Sequence, residues 1–244
     1  ACYEIAQMLL RRQWPAAAAV EHLRDLAPDK LRVSPADLYR ALKRLPNRPS
    51  RKQLETLFDG ADAQKLREVL ATHANVGPYD LRGVALYGIS ECVRSEQFAE
   101  VIESENLQRV GELMAASHDG DRVVRLGRNG QARKHAPSFT DKALDKLAAA
   151  GAKADGADLA LQPGRYACST EAIDRLVDLA AGAEGVVGAQ LAGAGLGGCM
   201  MVLVEQDHLE GLMVRLRNEF YRPRKLAFGA LVCTPVAGAG LLQV

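Results

Sequence analysis

The sequence predicts an α+β fold, with an antiparallel sheet of four strands covered by helices and preceded by a helical region. Three observations carry that expectation. First, Gly193, Gly195, Gly197 and Gly198 fall between two short apolar runs, so that the segment from Gly188 to Val204 reads as strand, glycine loop, strand. Second, the order after residue 168 is helix, strand, strand, helix, strand, strand with tight connections, which favours an antiparallel layer over a doubly wound parallel sheet. Third, the first third of the chain repeats apolar residues at helical spacing and is broken by prolines.

Taken in order, Ile5, Met8 and Leu9 and then Val20, Leu23 and Leu26 mark helical segments separated by Pro15 and Pro28. Ser34-Pro35-Ala36-Asp37 supplies an N-cap, a proline at the first helical position and an acid in the first turn. Leu38, Ala41, Leu42 and Leu45 then share one face. Ser50 caps a helix with Leu54, Leu57 and Phe58, and a further helix carries Leu66, Val69 and Leu70. Gly77-Pro78 punctuates the chain before a long amphipathic helix from Leu81 to about Glu103. Asn106 caps the next helix, which runs through Leu107, Val110, Leu113 and Met114 to Ser117-His118, and the short joint makes the two an antiparallel pair.

From Asp119 the periodicity weakens. Arg122, Arg125, Arg128, Arg133 and Lys134 crowd a glycine-containing stretch, and Gly151 to Gly164 is rich in alanine and glycine. Residues 119–165 are therefore expected to form an exposed, flexible insertion around a short helix at Asp141 to Ala149. Beyond it, Ser169 caps a helix bearing Ile173, Leu176, Val177 and Ala180, and Asp207 opens another with Leu209, Leu212, Met213, Leu216 and Phe220. Leu226 to Cys233 reads as a strand before Pro235, and Leu241 to Val244 as a short closing strand. The organisation expected is a helical segment over 1–75, an α+β core from 76–118 and 166–244, and the insertion between them.

Composition excludes several function classes. With 31 basic and 30 acidic residues the formal charge is +1, so no net field draws the chain to nucleic acid or an anionic membrane. The arginine cluster after residue 119 has no interleaved aromatics and reads as a solvated loop. Cys2, Cys92, Cys168, Cys199 and Cys233 lie far apart with no CxxC spacing, which argues against a zinc site or disulfide framework and for reduced cysteines in a cytoplasmic protein. No apolar run reaches the roughly 18 to 20 residues of a membrane span. The opening Ala-Cys-Tyr-Glu-Ile has no signal-peptide order and begins within a helical pattern without methionine, as a piece of a longer chain would.

Few side chains suggest chemistry. His118-Asp119 beside Asp121 reads as a helix-end histidine with solvated acids, because no second histidine stands at ligand spacing; no metal site is expected. His22, His73, His135 and His208 are isolated, and Cys199 reads as a buried apolar cysteine at a strand start. The glycine segment itself is either a ligand-adjacent loop or a tight hairpin.

The succession Gly111-Glu-Leu-Met114, Ser117-His118, then Cys168-Ser169-Thr-Glu171-Ala-Ile-Asp174-Arg-Leu-Val177, then Gly185 to Cys199 resembles the C-terminal half of galactokinases, members of the GHMP family of small-molecule kinases. The resemblance runs from about Val84 to the C-terminus apart from the insertion. It implies a four-stranded, ferredoxin-like sheet, and a parent enzyme that transfers the γ-phosphoryl group of MgATP to the 1-hydroxyl of galactose or a related sugar. On the same resemblance, Gly193, Ala194, Gly195, Leu196, Gly197 and Gly198 form a loop beside substrate and phosphate. The family's N-terminal sugar-binding motif, its serine-rich phosphate loop and its catalytic residues have no counterpart in this sequence. The chain alone is thus expected to carry no catalytic residue, to bind ATP and Mg2+ at most weakly, and to meet sugar and ATP through an N-terminal half. The alternative implied is a catalytically silent galactokinase relative that senses sugar and ATP. Two departures bear on the sugar rather than the family. Ser117-His118 is followed by Asp-Gly-Asp-Arg122 and a long path to Cys168, and Ala192 and Leu196 stand where relatives often carry Thr and Phe.

Overall fold

The computed structural model describes residues 1–75, 77–127, 130–152, 157–193 and 195–234. Its helical region comprises α1 (Cys2–Gln13), α2 (Pro28–Leu31), α3 (Pro35–Arg44), α4 (Arg51–Glu55) and α5 (Gly60–Ala71), followed by the long α6 (Leu81–Glu103) and α7 (Leu107–Asp121). Local sequence sets several of these boundaries. Ser34 Oγ accepts the Asp37 N–H at 3.2 Å while the Asp37 carboxylate accepts the Ser34 N–H, a reciprocal cap that opens α3; Ser50 and Gln53 do the same for α4. Asn106 Oδ1 accepts the Arg109 N–H at 3.1 Å and starts α7.

One apolar core joins Ile5, Leu9 and Leu10 of α1, Leu38 and Leu42 of α3, Leu66 of α5, and Leu81, Leu86 and Ile89 of α6. The same core takes in Leu144 and Ala148 of α8 (Asp141–Gly151) and Leu159. The expected exposed insertion is therefore packed, and part of 119–165 belongs with the helical region. The reason is a buried guanidinium: Arg82 of α6 donates to the carbonyls of Lys43 and Leu45 at the end of α3 (2.7 and 2.8 Å), to Phe139 O (3.1 Å) and to Asp141 at the start of α8 (2.7 Å). The short helix expected at Asp141 to Ala149 thus forms as α8, but it lies against α3 instead of standing out in an exposed segment.

The strands form two separate hairpins. β1 (Val124–Leu126) pairs antiparallel with β2 (Ala132–Lys134), and β3 (Val186–Ala192) pairs antiparallel with β4 (Cys199–Val204), with a bulge between Val186 and Gly188. The single four-stranded sheet is thus not formed: among the described residues there are two two-stranded sheets. Leu226 to Cys233 is irregular and mostly exposed. After α10 (Leu209–Leu216) and a π-helical turn at Arg217–Tyr221, the chain reverses at Lys225 with φ +55°. Phe228 then docks edge-on to Tyr221 beneath Arg217, at the end of α10. An apolar run makes a strand only where a ladder partner is within reach, and that docking holds this one away from β4. The closing strand expected at 241–244 lies outside the described residues.

A second core packs α9 (Glu171–Ala181) and α10 on β3 and β4 through Ile173, Leu176, Val177, Ala189, Leu191, Leu212, Leu216 and Phe220. The cap of α9 is Thr170 rather than Ser169, its side chain accepting the Ile173 N–H at 3.3 Å. Between the two cores α7 packs on α6 and on β3. A Cβ at Gly111 would overlap the carbonyl oxygen of Val187, and one at Gly188 would stand 2.6 Å from Met114 Sδ, so helix and strand meet backbone to backbone. That contact covers the edge of β3 that has no strand neighbour among the described residues.

Candidate functional site

The glycine loop joins β3 to β4 at one end of this hairpin. Gly193, Gly195, Leu196, Gly197 and Gly198 all have positive φ, between 61° and 108°. Ala194 lies outside the described residues. Consecutive left-handed residues curl the chain sharply, and Leu196 is the one non-glycine among the described loop residues to bear that conformation, which costs it on the order of 1 kcal/mol. Its N–H donates to Cys168 O at 2.6 Å, and its side chain is 87% exposed. A Cβ on Gly195 would lie 2.5 Å from Cys168 Sγ, whereas at Gly193, Gly197 and Gly198 it would meet nothing within 4 Å. One side of the loop therefore rests on Cys168, and among the described residues nothing stands against the other; Cys199, just past the loop at the start of β4, is exposed rather than buried.

Cys168 lies on the irregular segment Pro163–Ser169, which threads between α6 and α7. Its backbone N–H groups satisfy helix carbonyls: Arg165 bonds Gly83 O, Tyr166 and Ala167 bond Gly120 O, and Ser169 bonds Asp121 O. Those last carbonyls of α7 would otherwise be orphaned. A Cβ on Gly120 would collide with Pro163 O and the Tyr87 ring, and one on Gly164 with the Tyr87 backbone, so the close threading requires glycine twice.

Beneath the loop, Cys168 Sγ donates to Asp121 Oδ1 at 3.1 Å, and the Tyr87 hydroxyl lies beside the same carboxylate. Burial raises the Asp121 pKa despite these two neighbours, and it pushes the Cys168 thiol up to about 12, with Asp121 adding to the shift. The thiol is thus protonated and a poor nucleophile at neutral pH. Tyr166 is sandwiched between Tyr3 of α1 and Tyr87 of α6, with centroid distances of 5.7 and 5.1 Å and interplanar angles of 8° and 11°. The sequence offered little sign of this cluster, because its members are spread from residue 3 to residue 168.

His118 is not a solvated helix-end residue; it is 1% exposed. Its Nδ1 accepts the Leu191 N–H at 3.3 Å, which leaves the proton on Nε2, 3.4 Å from Asp174 Oδ1. Asp174, itself buried, accepts the N–H groups of Val123 and Val124 at 2.9 and 2.8 Å. The pair ties α7, α9, β1 and β3 together. Asp119 bridges Arg122 and Arg125 at the rim of a small cleft of about 130 Å³ lined by Gly111, Ala115, His118 and Val177. Among the described residues no group of histidine, cysteine and carboxylate side chains is arranged to hold a metal ion, and no helix is long and apolar enough to cross a membrane.

Residues 142–222, from α8 through the glycine loop to the end of the π-helical turn, match the family model described as GHMP kinases C terminal. Over those residues the chain is similar to the C-terminal domain of GHMP kinases, and the relatives it resembles are galactokinases. It is 28% identical over 182 residues to the galactokinase of Chloroflexus aurantiacus, covering 73% of this chain and 36% of that protein. With the galactokinase of Exiguobacterium sibiricum it shares 27% identity over 160 residues, 66% of this chain and 30% of the relative. A shorter stretch of 48 residues is 40% identical to the galactokinase of Clostridium beijerinckii. The chain thus spans about a third of the length of the first two relatives.

The buried His118 also dictates a pH response. Burial, reinforced by the nearby Arg122 guanidinium, lowers its pKa below the ordinary 6.5 of imidazole against the opposing pull of Asp174. Above pH 6.5 folded and unfolded chains both hold it neutral. As pH falls below that value the unfolded imidazole takes a proton that the folded one refuses, so stability drops by up to about 1.4 kcal/mol per pH unit. Urea titrations between pH 7 and 5 should show this loss, and His118→Gln should flatten it; an unchanged slope in the variant would place the response elsewhere.

Proposed function

We propose that this chain forms the C-terminal part of a sugar kinase that transfers the γ-phosphoryl group of MgATP to the 1-hydroxyl of galactose or a related sugar. The observation that carries the reading is the loop at 193–198, held from one side by Cys168 and bare of side chains at Gly193, Gly197 and Gly198 on the other. Such a surface fits a phosphate, since among the described residues no side chain stands against Gly193, Gly197 or Gly198. The loop also lies against residue 168, two positions before the N-cap of α9, where the helix dipole favours negative charge.

When bound, MgATP supplies the phosphoryl group and the cation that offsets its charge. The part assigned to this chain is positioning: the N–H groups of Gly197 and Gly198 orient phosphoryl oxygens, and the loop backbone walls the site from water. Ala194 is assigned to the same wall through its place in the loop sequence. Leu196, exposed at the tip, is placed to contact the sugar or the polypeptide that carries the catalytic groups. The division into a helical segment and an α+β core belongs to the same reading, with α8 of the expected insertion on the helical side and α7 and the glycine loop on the core side. Sugar and ATP are its partners, and the cytoplasm is its compartment.

The test is turnover by the full-length natural polypeptide containing this chain, supplied with MgATP and a panel of hexoses that includes galactose. Phosphorylation at the 1-hydroxyl of one of them is expected, and none by residues 1–244 alone. A well-folded full-length protein that phosphorylates no sugar would overturn the reading and leave a sugar-sensing role.

A further inference from the structure

The loop's conformation is not self-determined. Five of its residues occupy the left-handed region, where backbone strain persists only if the surroundings impose it. Among the described residues, the contacts that hold the loop centre on one. Cys168 O accepts the Leu196 N–H, and Cys168 Sγ fills the space against Gly195. Cys168 is in turn fixed by its thiol bond to Asp121 at the end of α7, and the neighbouring Gly120 packs directly on the Tyr87 ring of α6, whose hydroxyl lies beside the Asp121 carboxylate. Tyr87 stacks on Tyr166, and Tyr166 on Tyr3, which lies across α6 at Gly88. A continuous set of contacts therefore runs from the helical region to the glycine loop without passing through the sheet.

We infer that Cys168 is the positioning residue of the glycine loop, and that Asp121 and Tyr87 set Cys168, so that packing of the helical region fixes the shape of the loop. The inference rests on the kinase reading only for its catalytic consequence; the positioning itself is a property of this chain. Cys168 acts here as a protonated donor and a spacer, never as a nucleophile, and no bond to it forms or breaks. Serine keeps the donor to Asp121 with a slightly shorter reach, whereas alanine removes both the donor and the surface on which Gly195 rests. Phenylalanine at 87 keeps the aromatic stack and removes only the hydroxyl.

Amide hydrogen exchange on the 244-residue chain reads the coupling directly. The Leu196 N–H reports the loop, and the Leu191 N–H, bonded to His118 in β3, reports the fold that carries it. In Cys168→Ala and in Tyr87→Phe, exchange at Leu196 is expected to accelerate about tenfold relative to Leu191, and in Cys168→Ser by less than about threefold. Unchanged protection at Leu196 in Cys168→Ala would overturn the inference. So would an equal loss at Leu191, because the thiol would then be supporting the whole fold. In the full-length protein the same alanine variant should lower kcat with KM for the sugar little changed, with serine restoring kcat. Absence of turnover by the unsubstituted protein would count against the kinase reading alone and leave the exchange result to decide the positioning role.

Discussion

Gly111→Ala should destabilise the chain by about 2 to 3 kcal/mol or more, a large share of the roughly 5 to 15 kcal/mol that holds a domain folded. In an exposed helix the same change is favourable by about 0.5 to 1 kcal/mol, because alanine loses less backbone freedom on folding. Here the new methyl group would overlap the carbonyl oxygen of Val187, and Val187 belongs to β3, not to a flexible side chain that can swing aside. Relief requires α7 to lift off the strand, which would pull on the Gly188 to Met114 contact and on the His118 to Leu191 hydrogen bond at once. Gly211→Ala in α10 is the matched control: its Cβ would meet nothing within 4 Å, and that variant should be neutral or slightly stabilised. Urea denaturation of the two side by side decides the matter. Equal stabilities would show that α7 is not seated on the backbone of β3.

The same contact explains why some of this architecture is legible in the sequence. Gly111 and Met114 are far from Gly188 in the chain, yet their spacing marks one face of a helix, and Gly188 follows the valine pair that opens a strand. Caps are legible for a related reason: Ser34 with Asp37 and Ser50 with Gln53 act within four residues, so no tertiary knowledge is needed. What the sequence hides is pairing at a distance. The run at 226–233 has strand composition, but Phe228 finds Tyr221 and Arg217 instead of a ladder. The insertion has loop composition, but Arg82 finds two carbonyls at the end of α3 and the start of α8. In the candidate site the glycines announce themselves, while their support does not. Cys168, Asp121 and Tyr87 carry no common spacing, and only the threading of Pro163–Ser169 between two helices brings them together.

Gly197→Ala in the full-length protein should leave the fold intact and cut phosphoryl transfer, by about 10²-fold if the loop is displaced by as little as 1 Å. The expectation follows from two facts that pull apart stability and activity. At φ +108° an L-residue is strained, by about 1 to 3 kcal/mol, so the loop must relax to another conformation. Nothing lies within 4 Å of the added methyl group, so no packing is lost and the cost to global stability stays near 1 kcal/mol. Gly60→Ala supplies the comparison, since Gly60 also has positive φ and open space around its Cβ position but lies at the start of α5, away from the loop. Both variants should melt within a few degrees of the parent, while only Gly197→Ala loses kcat. If Gly197→Ala keeps the parental kcat/KM, the loop does not bound the transferred phosphoryl group, and its glycines serve only the turn between β3 and β4.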